Sequence, residues 1–548
     1  MNVNLLLITL IIFSCIFFNK ISFRFGIPTL FVFILLGMAF GSDGFARISF
    51  DNFALSETVC SVALIYIMFY GGFGTNWKMA RPVARQSILL STAGVFLTAL
   101  FLGLFLYLLL RREFWLCFLT GSALASTDAA SVFSVLRSQK LDLKENTASI
   151  LELESGSNDP MAYMLTLVCL SFLTGEADAG SILRLLTTQI VFGIAIGALC
   201  GLLSYRILKS VSFEVDGFDV IFIAGIALFS YALSAALGGN GYLSTYLTGI
   251  ILGNVKMGGK KNIVHFFDGL TGLMQIAVFF LLGLLATPSL LPGVLISAVS
   301  VFLFLTLIAR PLAVKLLLLP FRASKGQSRL ISFAGLRGAS SIVFAIMAVQ
   351  TLKSDTRFFH IIFFVVLLSL LVQGSLLPFA ARRFHMIDLS NDVMKTFTDY
   401  SEELPVQFIQ LTLAEDNEWV GKHISELALP LQFLFLLIVR EDKKLVPKGT
   451  TLLEAGDSLI LCAPAVQTKN AMQLSEIEID KSSEYLHRHI RDIKLPRGEI
   501  IFLIQRGNQS IIPNGQTEIL AGDTLMLTRL KEKERTPHSP SRVLTSGQ

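Results

Sequence analysis

Apolar runs of about 15 to 25 residues, separated by short polar breaks, recur from the first residues to about position 385. That is the length an α-helix needs to cross the ~30 Å hydrocarbon core of a bilayer. About thirteen such runs can be marked, roughly at 3–18, 27–42, 56–73, 88–110, 114–136, 147–173, 186–208, 219–237, 241–255, 264–286, 290–319, 328–350 and 359–380. A chain patterned this way folds as an α-helical polytopic membrane protein, with the lipid bilayer as its first partner. Composition agrees: 53% of residues are hydrophobic and only 16% are charged, against ~25% charged in an ordinary soluble domain. The N-terminal "MNVNLLLITLIIFSCIFFNK" lacks a basic leader and a small-residue cleavage site, so it reads as a first span rather than a signal peptide.

Basic residues divide unevenly between alternate loops. One set holds Lys20, Arg24, Lys78, Arg81, Arg85, Arg137, Lys140, Lys144, Arg206, Lys209, Lys256, Lys260, Lys261, Arg322, Lys325, Arg329, Arg382 and Arg383, while the other holds only Arg47, Arg111, Arg112, Arg184, Lys353 and Arg357. Short basic loops are retained in the cytoplasm, which places the N-terminus outside and the C-terminal region inside. The net charge of +5 belongs to these loops. No aromatic-interleaved basic patch accompanies it, so nucleic acid is not an expected partner. Cys15, Cys60, Cys117, Cys169, Cys200 and Cys462 stand singly, without C-x-x-C spacing or a neighbouring His, and read as apolar fillers.

A charged side chain at mid-bilayer is costly, so each one is a functional candidate. Three spans concentrate them. In "FLTGSALASTDAASVFSVLR", the stretch Ser126 to Ala130 interrupts an apolar helix with residues that favour helix N-caps. Broken helix at membrane depth survives only when buried in protein or lining a wet cavity, so a break capped by Asp128 is expected. In "ESGSNDP", Asp159 follows Glu154 by five positions, about 500° around a helix, so the two carboxylates face different partners. Pro160 removes a backbone hydrogen bond there, and Gly156 permits close helix approach. In "ISFAGLRGASSIVFAI", Arg337 between Gly335 and Gly338 requires a buried carboxylate, for which Glu154 is the best candidate. Arg310, in "LIARPLAV", either lines the same cavity or snorkels. The interrupted spans, the fifth and the twelfth, lie seven apart and so run in opposite directions, as inverted repeats require.

Asp159 beside Asn158, facing the break at Thr127 and Asp128, offers one titratable carboxylate among hydroxyl, amide and backbone oxygens. Hard oxygen ligands suit an alkali cation. A single exchangeable charge makes proton and cation compete, provided the carboxylate titrates near cytoplasmic pH. If one proton replaces one monovalent cation, each crossing moves the same charge and exchange is indifferent to voltage.

The stretches "STDAASVFSVLR", "ELESGSNDPMAYMLTL" and "FAGLRGASSIV" resemble the NhaP branch of the monovalent cation/proton antiporters, in which an Asn-Asp pair marks electroneutral members. The resemblance covers essentially the whole membrane part. It implies a thirteen-helix inverted-repeat fold, crossed broken helices and a homodimer. It also implies that Asp159 binds cation and proton, that Thr127 and Ser155 contribute oxygens, that Asn158 holds the site, and that Glu154 pairs with Arg337. No cofactor, no enzymatic reaction and no metal beyond the transported alkali cation is expected. One departure is "ALIYIMFYGGFGTNW" in the third span, which has no acid where some relatives place a glutamate near the ion.

Beyond 385 the chain reads as soluble α/β material and contains a duplication. His423, Pro430, Arg440, Pro447, Gly449, Gly456 and Asp457 recur as His489, Pro496, Arg506, Pro513, Gly515, Gly522 and Asp523. Each copy alternates short β-rich runs with P-x-G and A-G-D turns and resembles the RCK-C (TrkA-C) regulatory module. The expected layout is a membrane domain over 1–385, a linker over 386–402, RCK-C-like units over 403–480 and 481–531, and a disordered tail over 532–548. Arg440 and Arg506 are either solvated strand ends or the groups that hold a small anionic regulatory ligand.

Membrane motifs joined to an RCK-C tail resemble bacterial potassium/proton antiporters of the cell-volume-regulation type. The expected function is electroneutral potassium/proton exchange in the inner membrane, with sodium in place of potassium as the alternative. An RCK-gated cation channel is disfavoured because no TVGYG-like filter is present. An aspartyl protease built on Asp128 and Asp159 lacks that family's G-x-G-D pattern and leaves Asn158 and Arg337 without a role.

Overall fold

The computed structural model describes residues 2–388 except 26–27, 140, 211–216, 256–259 and 354–356. It also describes 406–530 except 416, 418, 428–433, 441–442, 465–471, 480–482, 484, 494, 496–498, 507–508 and 512. The expected linker beyond 388, the tail over 532–548, and Lys140, Lys256, Pro430 and Pro496 lie outside the described residues. The chain divides into two units, Met1–Ser401 and Glu402–Gln548.

Among the described residues of the first unit, seven helical stretches are long and apolar enough to cross a membrane: Phe53–Gly74, Ala84–Leu110, Ala179–Ser210, Phe218–Ala236, Asn262–Leu285, Pro288–Phe321 and Arg357–Arg383. The pair Phe114–Ala125 and Ala130–Leu136, bent by 41°, makes an eighth if counted as one span. Shorter or polar-interrupted helices lie between them, at Asn2–Phe25, Thr29–Phe40, Thr147–Leu173, Gly241–Gly253, and Lys325–Phe333 with Ala339–Leu352. A count of thirteen needs each of these to cross as well. Thr29–Phe40 and Gly241–Gly253 are short and Thr147–Leu173 is interrupted by acids, and the last of these together with the broken pair carries the site.

Small residues set the packing where helices touch most closely. A Cβ on Gly253 would run into the backbone of Phe73, so Phe53–Gly74 and Gly241–Gly253 approach backbone to backbone. Single π turns at Leu90–Gly94, Leu305–Ala309 and Ser369–Gln373 shift the facing of the helix beyond each of them. The second leads directly into Arg310, and the third contains Ser369 and Gln373.

A two-stranded antiparallel ribbon pairs Asp142 with Asp388 and Leu143 with Ile387, and the Lys144 N–H donates to the Met386 carbonyl at 2.9 Å. It joins the last described residues of this unit to the loop that precedes helix Thr147–Leu173.

The second unit holds two four-stranded antiparallel sheets of identical topology. The first has the order Val406–Thr412, Ser458–Pro464, Leu434–Arg440, Lys443–Leu445, and the second Met472–Glu478, Asp523–Leu530, Glu499–Arg506, Gln509–Ile511. The apolar centre of the first is Leu413, Phe435, Ile438, Leu453, Leu459 and Leu461. Its counterparts, all 66 positions later in the sequence, are Ile479, Ile501, Ile504, Ile519, Leu525 and Leu527. Helix in each copy is limited, among the described residues, to the 3₁₀ turns Ile424–Glu426 and Ile490–Asp492.

Candidate functional site at two crossing helix breaks

Helix Phe114–Ala125 stops at Ser126, whose extended backbone turns the chain, and helix resumes at Ala129–Ser138. Asp128 caps the second half: its Oδ1 accepts from the Ala130 N–H at 2.9 Å and its Oδ2 from the Ser131 hydroxyl at 2.6 Å. A helix N-terminus carries partial positive charge, so this carboxylate is compensated locally, as the N-cap reading anticipates.

The second break, between Lys325–Phe333 and Ala339–Leu352, crosses the first. The Asp128 N–H donates to the Leu336 carbonyl at 2.8 Å. Gly338 is required by the crossing, because a Cβ there would lie 2.6 Å from the Asp128 Cβ. The Arg337 N–H donates to Ser369 Oγ at 3.0 Å, and Ser369 in turn donates to Gln373 Oε1 at 2.5 Å. Backbone groups freed by both breaks thus find partners within protein.

Helix Thr147–Leu173 passes the crossing and presents Glu154, Asn158 and Asp159, all buried. Asn158 Nδ2 donates to Thr127 Oγ1 at 2.6 Å, and Thr127 Oγ1 lies 3.0 Å from Ser155 Oγ. Ser126 Oγ is hydrogen-bonded to Asp159 Oδ1 and lies 3.2 Å from Asn158 Oδ1 and 3.0 Å from Ser340 Oγ. The carbonyl of Pro160 accepts from Asn240 Nδ2 at 2.9 Å. Asp159, Asn158, Thr127 and Ser155 therefore come together as the sequence suggests, with Asp128 alongside in the break. Ser126 and Ser340, the hydroxyls nearest Asp159, are not singled out by the sequence reading. The clue is present in the chain, since both lie at the ends of the breaks, within "STDAASVFSVLR" and "FAGLRGASSIV".

The expected ion pair between Glu154 and Arg337 is not formed. Glu154 Oε1 accepts instead from Arg310 Nη2 at 2.8 Å, with side-chain exposures of 0% and 4%. Arg337, 2% exposed, donates from Nη1 to the Ser126 carbonyl at 2.7 Å. The reason lies in the break: Ser126 ends a half-helix, where carbonyls lack intrahelical donors and carry partial negative charge, and Arg337 lies at the crossing beside it.

In the soluble unit, Arg440 and Arg506 are engaged structurally. Arg440 donates from Nε to Asp457 Oδ1 at 2.7 Å and from Nη2 to Asp457 Oδ2 and the Leu452 carbonyl, each at 2.8 Å. Arg506 repeats this with Asp523 and the Glu518 carbonyl, all three bonds at 2.8 Å. Gly456 and Gly522, at φ +86° and +88°, make the turns that deliver the two aspartates. Burial pushes the Asp457 carboxyl up, but the Arg440 hydrogen bond and the Glu454 N–H outweigh it and leave it below the usual range. The Arg506 hydrogen bond likewise lowers Asp523. Each arginine is thus held by an aspartate of its own copy.

Comparison with known proteins gives the family and the fold. The family model described as "Sodium/hydrogen exchanger, transmembrane" matches residues 7–383, and the TrkA-C domain matches twice, over 408–472 and 474–528. The chain is 36% identical over 471 residues to the K(+)/H(+) antiporter NhaP2 of Shewanella sp. (strain MR-4), covering 84% of this chain and 80% of that one. It is 33% identical over 473 residues to the K(+)/H(+) antiporter NhaP of Alkalimonas amylolytica, covering 85% and 82%. Among solved structures, the sodium proton antiporter MjNhaP1 from Methanocaldococcus jannaschii at pH 8 superposes with a TM-score of 0.62 at 23% identity, covering 69% of this chain and 97% of that one, which speaks to the fold. A multi-pass membrane domain of this kind, followed by two TrkA-C domains, makes the chain a member of the sodium/hydrogen exchanger family of cation/proton antiporters, which are transporters and not enzymes.

Proposed function

We propose that this chain is an electroneutral potassium/proton antiporter of the bacterial inner membrane, with Asp159 as the group that holds the cation and the proton in turn. The supporting observation is that the neighbouring buried charges are already committed. Asp128 caps a half-helix, Glu154 is paired with Arg310, and Arg337 serves the Ser126 carbonyl. Among the described residues, the partners of the Asp159 carboxylate are the hydroxyls of Ser126 and Ser340. A carboxylate with hydroxyl partners can exchange one proton for one alkali cation without breaking an ion pair. Thr127 and Ser155 supply further oxygens, and Asn158 ties the helix to the break.

Two relatives at 36% and 33% identity bear potassium/proton antiporter names, which favours potassium over sodium. The basic loops favour an outside N-terminus and a cytoplasmic C-terminal unit. We take the working form to be a homodimer whose TrkA-C units respond to a small ligand held by groups other than Arg440 and Arg506.

The test is proton flux in everted membrane vesicles, followed with a pH-sensitive dye as potassium, sodium or lithium salts are added, with Asp159→Asn alongside. A potassium response that disappears in the variant, with expression unchanged, supports the assignment. Retained exchange in Asp159→Asn removes that residue from its role. A sodium-only response changes the ion and keeps the mechanism.

A further inference from the structure

Helix Phe53–Gly74 carries an acid after all, Glu57, less than two turns before the acid-free stretch "ALIYIMFYGGFGTNW". Glu57 lines an open groove of about 590 Å³ between this helix and Phe218–Ala236, where Thr58, Ser61 and Tyr231 add hydroxyls and Ala54, Val62 and Leu228 add apolar wall. The groove has a definite relation to Asp159. Tyr163 follows Asp159 by one helical turn on the same face, and its ring packs on Tyr242 at 5.2 Å and Phe344 at 5.9 Å between centroids. Phe344 in turn follows Ser340, a neighbour of Asp159, by one turn. Tyr242 packs on Tyr231 of the groove wall at 5.0 Å, its hydroxyl beside those of Ser61 and Tyr231. The Glu57 carboxylate is close enough to act electrostatically on both Tyr163 and Tyr231.

These groups form a sequence: a groove with one carboxylate, then a plug of Tyr163, Tyr242 and Phe344, then Asp159. Tyr242 and Phe344 are 2% and 1% exposed while Tyr163 is half-buried, so the plug is shut at two of its three rings. A carboxylate in a cleft with low-dielectric walls concentrates cations. The groove is large enough for an alkali ion with part of its water shell, and the hydroxyls can replace what the ion sheds.

We propose that the Glu57 groove is a cation antechamber on one face of the membrane, separated from Asp159 by the aromatic plug. In the orientation given by the basic loops it lies on the outer side, since Glu57, Tyr231 and Tyr242 stand next to the loops that carry few basic residues. The inference rests on the antiporter reading.

The experiment measures the half-saturating potassium concentration separately on each face, in right-side-out and everted vesicles, for wild type, Glu57→Gln and Glu57→Asp. The expected result is a rise of about tenfold for Glu57→Gln, the lower end of what such focusing gives. It should be confined to the face that opens on the groove, with the maximal rate kept and Glu57→Asp near wild type. Ala232→Lys, at an exposed position on the groove wall, should produce the same one-sided rise and stands in if Glu57→Gln folds poorly. An unchanged half-saturation, an equal rise on both faces, or a fall in maximal rate alone overturns the antechamber. A wild type without potassium-dependent flux overturns the antiporter reading instead.

Discussion

Removing the Arg310 guanidinium while leaving Glu154 in place should destabilise the membrane domain more than any single change at the crossing itself. The two side chains are 4% and 0% exposed, so solvent cannot take over the abandoned charge. Stranding one member of a buried pair costs about 3–5 kcal/mol, or roughly two to three and a half orders of magnitude in the folded-to-unfolded ratio at 1.4 kcal/mol per decade. The pair is joined by one bond only, and Glu154 Oε2 and Arg310 Nε have no hydrogen-bond partner among the described residues. Removing both charges together should therefore recover most of the loss. The assay is thermal unfolding in detergent of Arg310→Met, Glu154→Gln, Arg337→Ala and the two double variants. Arg310→Met should be poorly folded and Glu154→Gln should rescue it. Arg337→Ala should lose a charged hydrogen bond worth about 1.5–3 kcal/mol and gain nothing from Glu154→Gln. Arg310→Met at wild-type stability, or rescue of Arg337→Ala in its place, would show that the pairing has been assigned to the wrong arginine.

Gly338→Ala puts a Cβ 2.6 Å from the Asp128 Cβ, and since the obstacle is not a flexible side-chain end the two breaks must separate. The expected cost is about 1–3 kcal/mol, with potassium-dependent proton flux lost even in protein that still purifies as a folded peak; full flux in that variant would contradict the crossing. In the soluble unit, the Asp457 and Asp523 carboxyls are held below their usual range, so their contribution to stability is present above the unfolded value of ~3.9. It is lost as pH falls through the lower folded values. Hydrogen exchange of the two sheets in the full-length protein should accelerate below about pH 4, and Asp523→Asn should remove the acid-dependent part in the second copy only.

Several levels of this structure are visible in the chain because they are local. Helix breaks inside apolar spans are announced by cap-forming and glycine residues, and the Asp128 cap and the Gly338 crossing follow from "STDAA" and "GLRGASS". The duplication in the tail is legible because the residues that recur are those whose backbone or charge is most constrained: a glycine at positive φ, an arginine and the aspartate it holds. The same repetition extends to six positions of each apolar centre, where side-chain identity is free to drift and only size and burial are kept. That explains why the second copy looks diverged while its sheet keeps the same strand order.

Partner choice among the buried charges was not legible, and the reason is geometric. Which arginine meets Glu154 depends on the facing of residues more than 150 positions away, and an ideal helical wheel misplaces them wherever a π turn adds a residue. Leu305–Ala309 is such a turn, and it ends immediately before Arg310. Arg337 has the stronger sequence context, glycines on both sides in an apolar span, yet that context reports the break and not the partner. Once a break is present, the freed carbonyl at Ser126 competes for the nearest guanidinium, and the competition is local where the ion pair is not. The same logic applies to Arg440 and Arg506. Each stands at a strand end, the usual place for a solvated charge, but the aspartate seventeen residues on is delivered back to it by a glycine turn. In each of these three cases the residue type and its burial could be anticipated, whereas the partner was decided by backbone geometry that no periodicity encodes.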